Sequence, residues 1–202
     1  MFTFRLFPKE YNQIRDYFAS PPALQTDRLI LRMARIHDAD DIFQYSQDPD
    51  VARYVLWERH ASRRDSKDYI RYLKSQYRNS LPSSYVIVLK ETGHVIGTIG
   101  FMSYAEDHSC VEVGYSLSKL YWNQNIATEA LSCIIHYAFD SLKLNRVEAM
   151  HDVDNPSSGR VMQKCGMLFE GTLRQKVLNK GQYRDVNLYA ILRKDWEQQH
   201  QS

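Results

Sequence analysis

The chain has 202 residues, with 26 lysines and arginines against 24 aspartates and glutamates, and a formal net charge of +2. That near-balance excludes a general electrostatic pull toward nucleic acid or an anionic membrane, so any anion-binding surface has to be built locally. At this length, with 44% hydrophobic residues, one domain around one core is the expectation.

Phe2, Phe4, Leu6 and Phe7 are interrupted by Arg5, Pro8, Lys9 and Glu10, which is not the continuous apolar stretch of a secretory leader. No run of roughly 18 apolar residues occurs along the sequence. Cys110, Cys133 and Cys165 are too far apart for a CxxC pair or a disulfide framework and suit a reducing compartment. The expectation is a cytoplasmic protein with neither a membrane nor a direct nucleic-acid partner. Pro21-Pro22 divides an extension, residues 1–23, from a domain over residues 24–202. The extension is predicted to carry a short helix near residues 9–18. Its aromatics call for a docking surface, on this chain or on a second copy in a homodimer.

Residues 28–33 read as a first strand, with Leu29 and Leu31 alternating against Arg28, Ile30 and Arg32. An acidic start at Asp38 before Ile42, Phe43 and Tyr45 suits a helix whose first turn complements its own dipole. Tyr69, Ile70, Leu73 and Tyr77 predict a second helix over residues 64–79. Residues 84–90 and 95–104 form a hairpin about the turn Glu91-Thr92-Gly93-His94. A further strand over 109–118 puts Val111, Val113 and Tyr115 on one face and Glu112, Gly114 and Ser116 on the other. Ala127, Ala130, Leu131, Ile134, Ile135, Ala138, Phe139 and Leu142 then fall on one side of an amphipathic helix. A strand over 146–152 follows. A helix opens at Asn155-Pro156 and stops at Gly166, and a long hairpin over 167–178 and 183–192 ends the pattern. The order predicts a mixed α/β fold, not a regular βαβ repeat.

The segment Tyr121-Trp122-Asn123-Gln124-Asn125-Ile126-Ala127-Thr128-Glu129-Ala130 joins a strand to the longest apolar helix. Such a turn points several backbone N–H groups at one spot, at the positive end of the helix dipole, and binds phosphate without basic side chains. Here the chain resembles the GNAT acetyltransferases, whose pyrophosphate motif is Q/R-x-x-G-x-G/A. It is closer still to the Trp-Gly-x-Gly-Tyr-Ala-Thr-Glu-Ala form of the ribosomal-protein N-terminal (Rim-type) branch. Trp122, Ala127, Thr128, Glu129 and Ala130 match, while both glycine positions are asparagine, Asn123 and Asn125. Asparagine tolerates the left-handed region better than other residues with a side chain, so the turn can survive. Asn155-Pro156-Ser157-Ser158 through Lys164-Cys165-Gly166-Met167 resembles the family's N-x-x-S-x-x-V-x-x-K-x-G-F segment. Residues 29–32 and 183–192 resemble the branch's first and last strands. The likeness covers residues 24–196 in the family's order.

The resemblance implies a largely antiparallel sheet in which the strands at 109–118 and 146–152 run parallel and splay apart. It implies acetyl-CoA as acetyl donor, with its pantetheine arm on the backbone of Val113, Tyr115 and Leu117. The pyrophosphate falls on the loop Asn123, Gln124, Asn125, Ile126, Ala127 and Thr128, with Asn155 and Ser158 toward the thioester. Transfer requires a neutral amine to attack the thioester carbonyl. An α-amino group, with a pKa of about 7.7–8.0 against about 10.4 for lysine, loses its proton near neutrality for well under 1 kcal/mol. The departing thiol, with a pKa of about 8.5, needs little help, so positioning outweighs acid and base assistance.

Glu112, on the strand predicted to face the acetyl group, is the first candidate base; the second, implied by the resemblance, is Glu170, since the Rim-type branch often has Glu in its Phe-x-x-Glu-Gly phrase, here Met167-Leu168-Phe169-Glu170-Gly171. Ser158 is the candidate proton donor to sulfur. The competing readings are a strand carboxylate bonded to a neighbour, a solvated hairpin residue and a serine with a local bond. Asn155 has an N-cap role open to it. His151 reads as a satisfied histidine, and Arg59, Arg63, Arg64 and Lys67 beside His60 as a solvated helix start or a patch near the acceptor. No His/Cys/Asp/Glu cluster has metal-ligand spacing. The Rim-type likeness points to a protein N-terminal α-amine as acceptor. A polyamine, an aminoglycoside or another small amine stays open, as does a degenerate acyl-CoA-binding domain without turnover. A nucleotide-triphosphatase loop is excluded because no Gly-Lys-Ser/Thr follows.

Overall fold

The computed structural model describes residues 10–200. The strands are β1 (Leu24–Gln25), β2 (Leu29–Arg32), β3 (Ser84–Leu89), β4 (Val95–Ala105), β5 (Cys110–Leu117), β6 (Arg146–Asp152), β7 (Leu168–Asn179) and β8 (Gln182–Leu192). They form one sheet in the order β1-β2-β3-β4-β5-β6-β8-β7. β5 and β6 are parallel, and the other neighbours antiparallel. The mixed α/β architecture is the expected one.

The helices are α1 (Glu10–Ala19), α2 (Ala39–Ser46), α3 (Pro49–Ala52), α4 (Arg63–Arg78), α5 (Ile126–Asp140), α6 (Pro156–Lys164) and α7 (Arg193–His200). They cover both faces of the sheet, which explains β3. Its residues are buried throughout, so it reads as a continuous apolar run and not as an alternation. Tyr85, Ile87 and Leu89 join the core under α5, with Leu131, Ile134 and Phe139. Val86 and Val88 join a second core under α2 and α4, with Ile42, Ile70 and Leu73.

Two features of the sheet position the site. β5 and β6 pair only where Cys110–Glu112 faces Arg146–Glu148. From Val113 onward β5 has no partner on that side, while β6 stays paired with β8 as far as Asp152. On the opposite edge of β5 the β4 register slips between Phe101 and Ser103, beside Val113 and Glu112. A bulge of this kind bends and over-twists its strand, so the divergence starts where the sheet is already being turned. The sequence pattern carried no sign of that bulge.

Four elements differ from the sequence expectation, the first being β1, two residues that pair with β2. The turn Asp48-Pro49 starts α3, where the Asp48 carboxylate accepts from the Asp50 amide at 2.9 Å. The polar run after Leu192 continues as α7, whose Trp196 packs against the core near Phe139. Asp38 precedes α2 and is buried, its carboxylate held by the Arg32 guanidinium at 2.8 Å through both oxygens.

The aromatics at 2, 4 and 7 lie outside the described residues. Tyr17 and Phe18 of α1 do not wait for a second subunit: they are buried in the core of this chain. The Tyr17 ring stacks on Tyr137 at 4.9 Å, and Phe18 meets Phe101 and Tyr104 edge-on. Phe18→Ala, which leaves a void beneath the sheet, is expected to lower the unfolding free energy by about 3–5 kcal/mol in a urea titration. An appendage lying outside the cooperative unit would leave the midpoint unmoved.

Candidate active site

The loop before α5 resolves the question posed by its two asparagines. Asn123 and Asn125 both take the left-handed conformation, each at φ +59°. No side chain caps the helix that follows. The Asn125 carboxamide oxygen instead accepts from the Lys164 ammonium at 2.8 Å. The amides at the start of α5, from Ile126 to Thr128, are therefore left to an outside acceptor, with a lysine alongside. Glu129, one turn in, does not face that spot. Its carboxylate takes the Thr26 hydroxyl at 2.5 Å, the Arg28 amide at 3.0 Å and the Arg28 side chain at 2.6 Å. Burial would raise its pKa, but these bonds outweigh burial and hold it below the usual value. Arg28 also donates to the Gln124 carbonyl at 3.1 Å, which pins the loop to the β1–β2 turn. No role at the loop was read for Lys164 or Arg28, because both reach it from distant segments.

A cavity of about 520 Å³ runs through the sheet where β5 and β6 part. Val113 to Ser116 and Met150 to Asp152 form its waist, and Asn155, Ser158 and Met162 close it on the α6 side. Tyr54, Trp57, Tyr69 and Tyr72 lie on the α4 side. Leu117, at the end of β5, is outside this lining, and its carbonyl accepts from the Trp122 indole at 2.8 Å.

Asn155 sits at the N-cap of α6 but makes no side-chain capping bond, so its amide is free to face the cavity it lines. Across the gap, the Tyr115 hydroxyl lies 3.0 Å from the Ser158 carbonyl and 2.8 Å from its Oγ. Burial raises the Tyr115 pKa, so the phenol keeps its proton. That proton goes to one Ser158 oxygen or the other, and in either arrangement the Ser158 hydroxyl proton can turn toward the cavity. The resemblance implied a backbone role alone for Tyr115.

The two candidate bases separate clearly. Glu112 lines the cavity and has no ion-pair partner among the described residues. Burial first, then the neighbouring Glu148 carboxylate, raise its pKa, and the Ser103 hydroxyl and Lys176 offset this only in part. Glu170 is outside the cavity lining and is held by Arg146 at 2.8 and 2.6 Å. That bidentate pair lowers its pKa and makes it a weaker base. The structure places Glu170 in an ion pair that ties β7 to β6 and not among the residues that line the cavity.

His151 is not the satisfied histidine that was expected. Its Nδ1 donates to the Asp152 carbonyl at 2.8 Å, whereas Nε2 is buried with no hydrogen-bond partner among the described residues. Nε2 faces Gly159, where an added Cβ would lie 2.6 Å away, so α6 can seat over β6 only with glycine there. His60 is buried between Trp57 and Tyr69 and bonds Ser66 at 2.9 Å. Arg63 pairs with Asp40, Arg64 with Asp68, and neither lines the cavity, so this stretch is a helix start.

Asn125→Gly is expected to keep or tighten acetyl-CoA binding in calorimetric titration. Asn125→Val, a β-branched residue forced to positive φ at a cost of about 1–2 kcal/mol, should weaken it by about tenfold. A valine variant at wild-type affinity would count against the loop as an anion cradle.

The Acetyltransferase (GNAT) domain model matches residues 28–168. The chain is 34% identical over 172 residues to the uncharacterized N-acetyltransferase YoaA of Bacillus subtilis, covering 85% of this chain and 97% of that one. A GNAT-family acetyltransferase from Bacillus anthracis superposes with a TM-score of 0.77 at 25% identity, covering 86% of this chain and 99% of that chain. RimL, a ribosomal L7/L12 α-N-protein acetyltransferase solved with coenzyme A, superposes with a TM-score of 0.74 at 20% identity, a likeness of fold, over 85% and 98% of the two chains. With an uncapped helix start, two left-handed residues before it and a parallel strand pair that parts beside it, the chain belongs to the GNAT acetyltransferase family.

Proposed function

We propose that this chain moves an acetyl group from acetyl-CoA to a primary amine that enters from the α4 side of the cavity, with Glu112 as the base. The observation that carries this reading is one continuous space. It joins the unpaired edge of β5, the start of α6 and a single carboxylate whose proton affinity is raised.

In this reading acetyl-CoA supplies the activated acyl group, its pyrophosphate held by the amides of Gln124 to Thr128 and by Lys164. The β5 edge from Val113 to Tyr115 offers backbone groups without a strand partner, suited to holding the pantetheine arm and to receiving charge on the carbonyl oxygen. Asn155 and Ser158 face the thioester end. Glu112 takes the amine proton, directly or through one water, and Ser158, backed by Tyr115, gives a proton to the leaving sulfur. The reading as a degenerate domain rested on Asn123 and Asn125. Both hold the positive φ that the turn needs, so the geometry gives it no support. A protein N-terminus of the ribosomal type gives up its proton more readily than a small free alkylamine, which asks more of the Glu112 base, and the shape of the acceptor side separates the two.

Glu112→Gln is expected to lower kcat by about 10²-fold while acetyl-CoA affinity changes little. Ser158→Ala should behave in the same direction with a smaller loss. Stability should move the opposite way. The folded state raises the Glu112 pKa, so this residue destabilises the fold progressively as pH rises from the unfolded toward the folded value. Glu112→Gln should therefore melt higher than wild type at pH 7, with the difference vanishing near pH 3. Full turnover in both variants would remove these roles.

A further inference from the structure

The acceptor side of the cavity is walled by aromatic and aliphatic groups. Trp57, Tyr69 and Tyr72 stand on one side, and Val177 and Val186 of the β7–β8 hairpin on the other. Trp57 is braced against the buried His60 ring at 5.4 Å, which fixes the wall in place. Charge there is scarce. Arg184 holds Asp152 at 2.7 and 3.0 Å and also pairs with Asp154, which is outside the lining, so among the described residues Glu112 is the acidic lining group without an ion pair.

The outer end is strapped. Lys180, in the tight turn at the hairpin tip, donates to the carbonyls of Ala52 and Val55, each at 2.8 Å, and to the Asn179 side chain at 3.3 Å. Two of its three donors join the hairpin to the segment at 52–55, and the third stays within the hairpin. These are the two walls of the cavity, with Tyr54 and Val55 on one and Val177 and Asn179 on the other. A peptide continuing outward between them would meet this strap. The total volume of about 520 Å³ must also admit the thioester end, so the acceptor's share is small.

We propose that the acceptor is a small free monoamine with an aromatic or branched aliphatic body, excluded from being a protein N-terminus by the Lys180 strap and from being a polyamine by the lack of a second free carboxylate. This inference rests on the transferase reading above. Before transfer the ammonium sits among ring faces that attract a cation and beside Glu112, and the apolar body fills the space between Trp57 and Val186.

The test is steady-state thiol release from acetyl-CoA with 2-phenylethylamine, spermidine, kanamycin and a tetrapeptide beginning with phenylalanine. The expected result is a kcat/KM for phenylethylamine at least about tenfold above the other three. Tyr72 is 56% exposed, so its replacement spares the fold. Tyr72→Ala should raise KM for phenylethylamine several-fold and leave acetyl-CoA affinity as it was. Lys180→Met should narrow the gap between phenylethylamine and the tetrapeptide. Equal or better turnover of the tetrapeptide, spermidine or kanamycin overturns the acceptor inference and leaves the transferase reading standing. An unchanged KM in Tyr72→Ala also overturns it. Acetyl-CoA binding with no turnover on any of the four amines overturns the transferase reading and the inference together.

Discussion

The parting of β5 from β6 after Glu112 is the constraint on which the rest of the site depends. A sheet satisfies its backbone by pairing every strand, so an interior strand with one bare edge stays wet or meets a ligand. Here the bare edge lies beside a bulge on one side and the start of α6 on the other. The sheet cannot simply close up. β6 is committed to β8 along its whole length, from Arg146 opposite Leu192 to Asp152 opposite Val186. Arg146 adds a lock below the fork by gripping Glu148 and Glu170 at once.

The loop before α5 illustrates how backbone demand and side-chain identity can be decoupled. The turn needs two left-handed residues, and glycine is the low-strain way to supply them. Asn123 and Asn125 meet the same demand, and Asn125 gains a carboxamide that fixes Lys164 beside the amides. The substitution therefore preserves the path of the chain while it adds a positive charge to the rim. A β7–β8 turn built on Lys180 and Gly181, at φ +49° and +78°, follows the same logic with a lysine in the unusual position.

Much of this was legible in the sequence, and the limits have physical causes. Alternation placed Glu112 opposite Val113 on β5, and the structure keeps them on the faces so assigned. The β6 bounds and the start of α6 followed from local signals, an apolar alternation and an Asn-Pro dipeptide. What escaped were features set by contacts between distant segments. No local pattern marks the β4 bulge, the pairing of Tyr115 with Ser158, or the capture of Glu170 by Arg146. His151 escaped for a related reason: its orphaned nitrogen exists only because α6 folds back to seat Gly159 against it. The outer part of the cavity combines residues 54–57 with a hairpin that begins more than a hundred positions later, a juxtaposition that only the sheet order creates.

The burial of α1 bears on how the protein is made. Tyr17 meets the hydroxyl of Tyr85 and the ring of Tyr137, so the first described helix completes its seat only with groups encoded far downstream. During synthesis from the ribosome, α1 emerges early and docks late, once the central strands and α5 have left the exit tunnel. Closing so long a loop slows assembly, and its apolar face stays uncovered meanwhile.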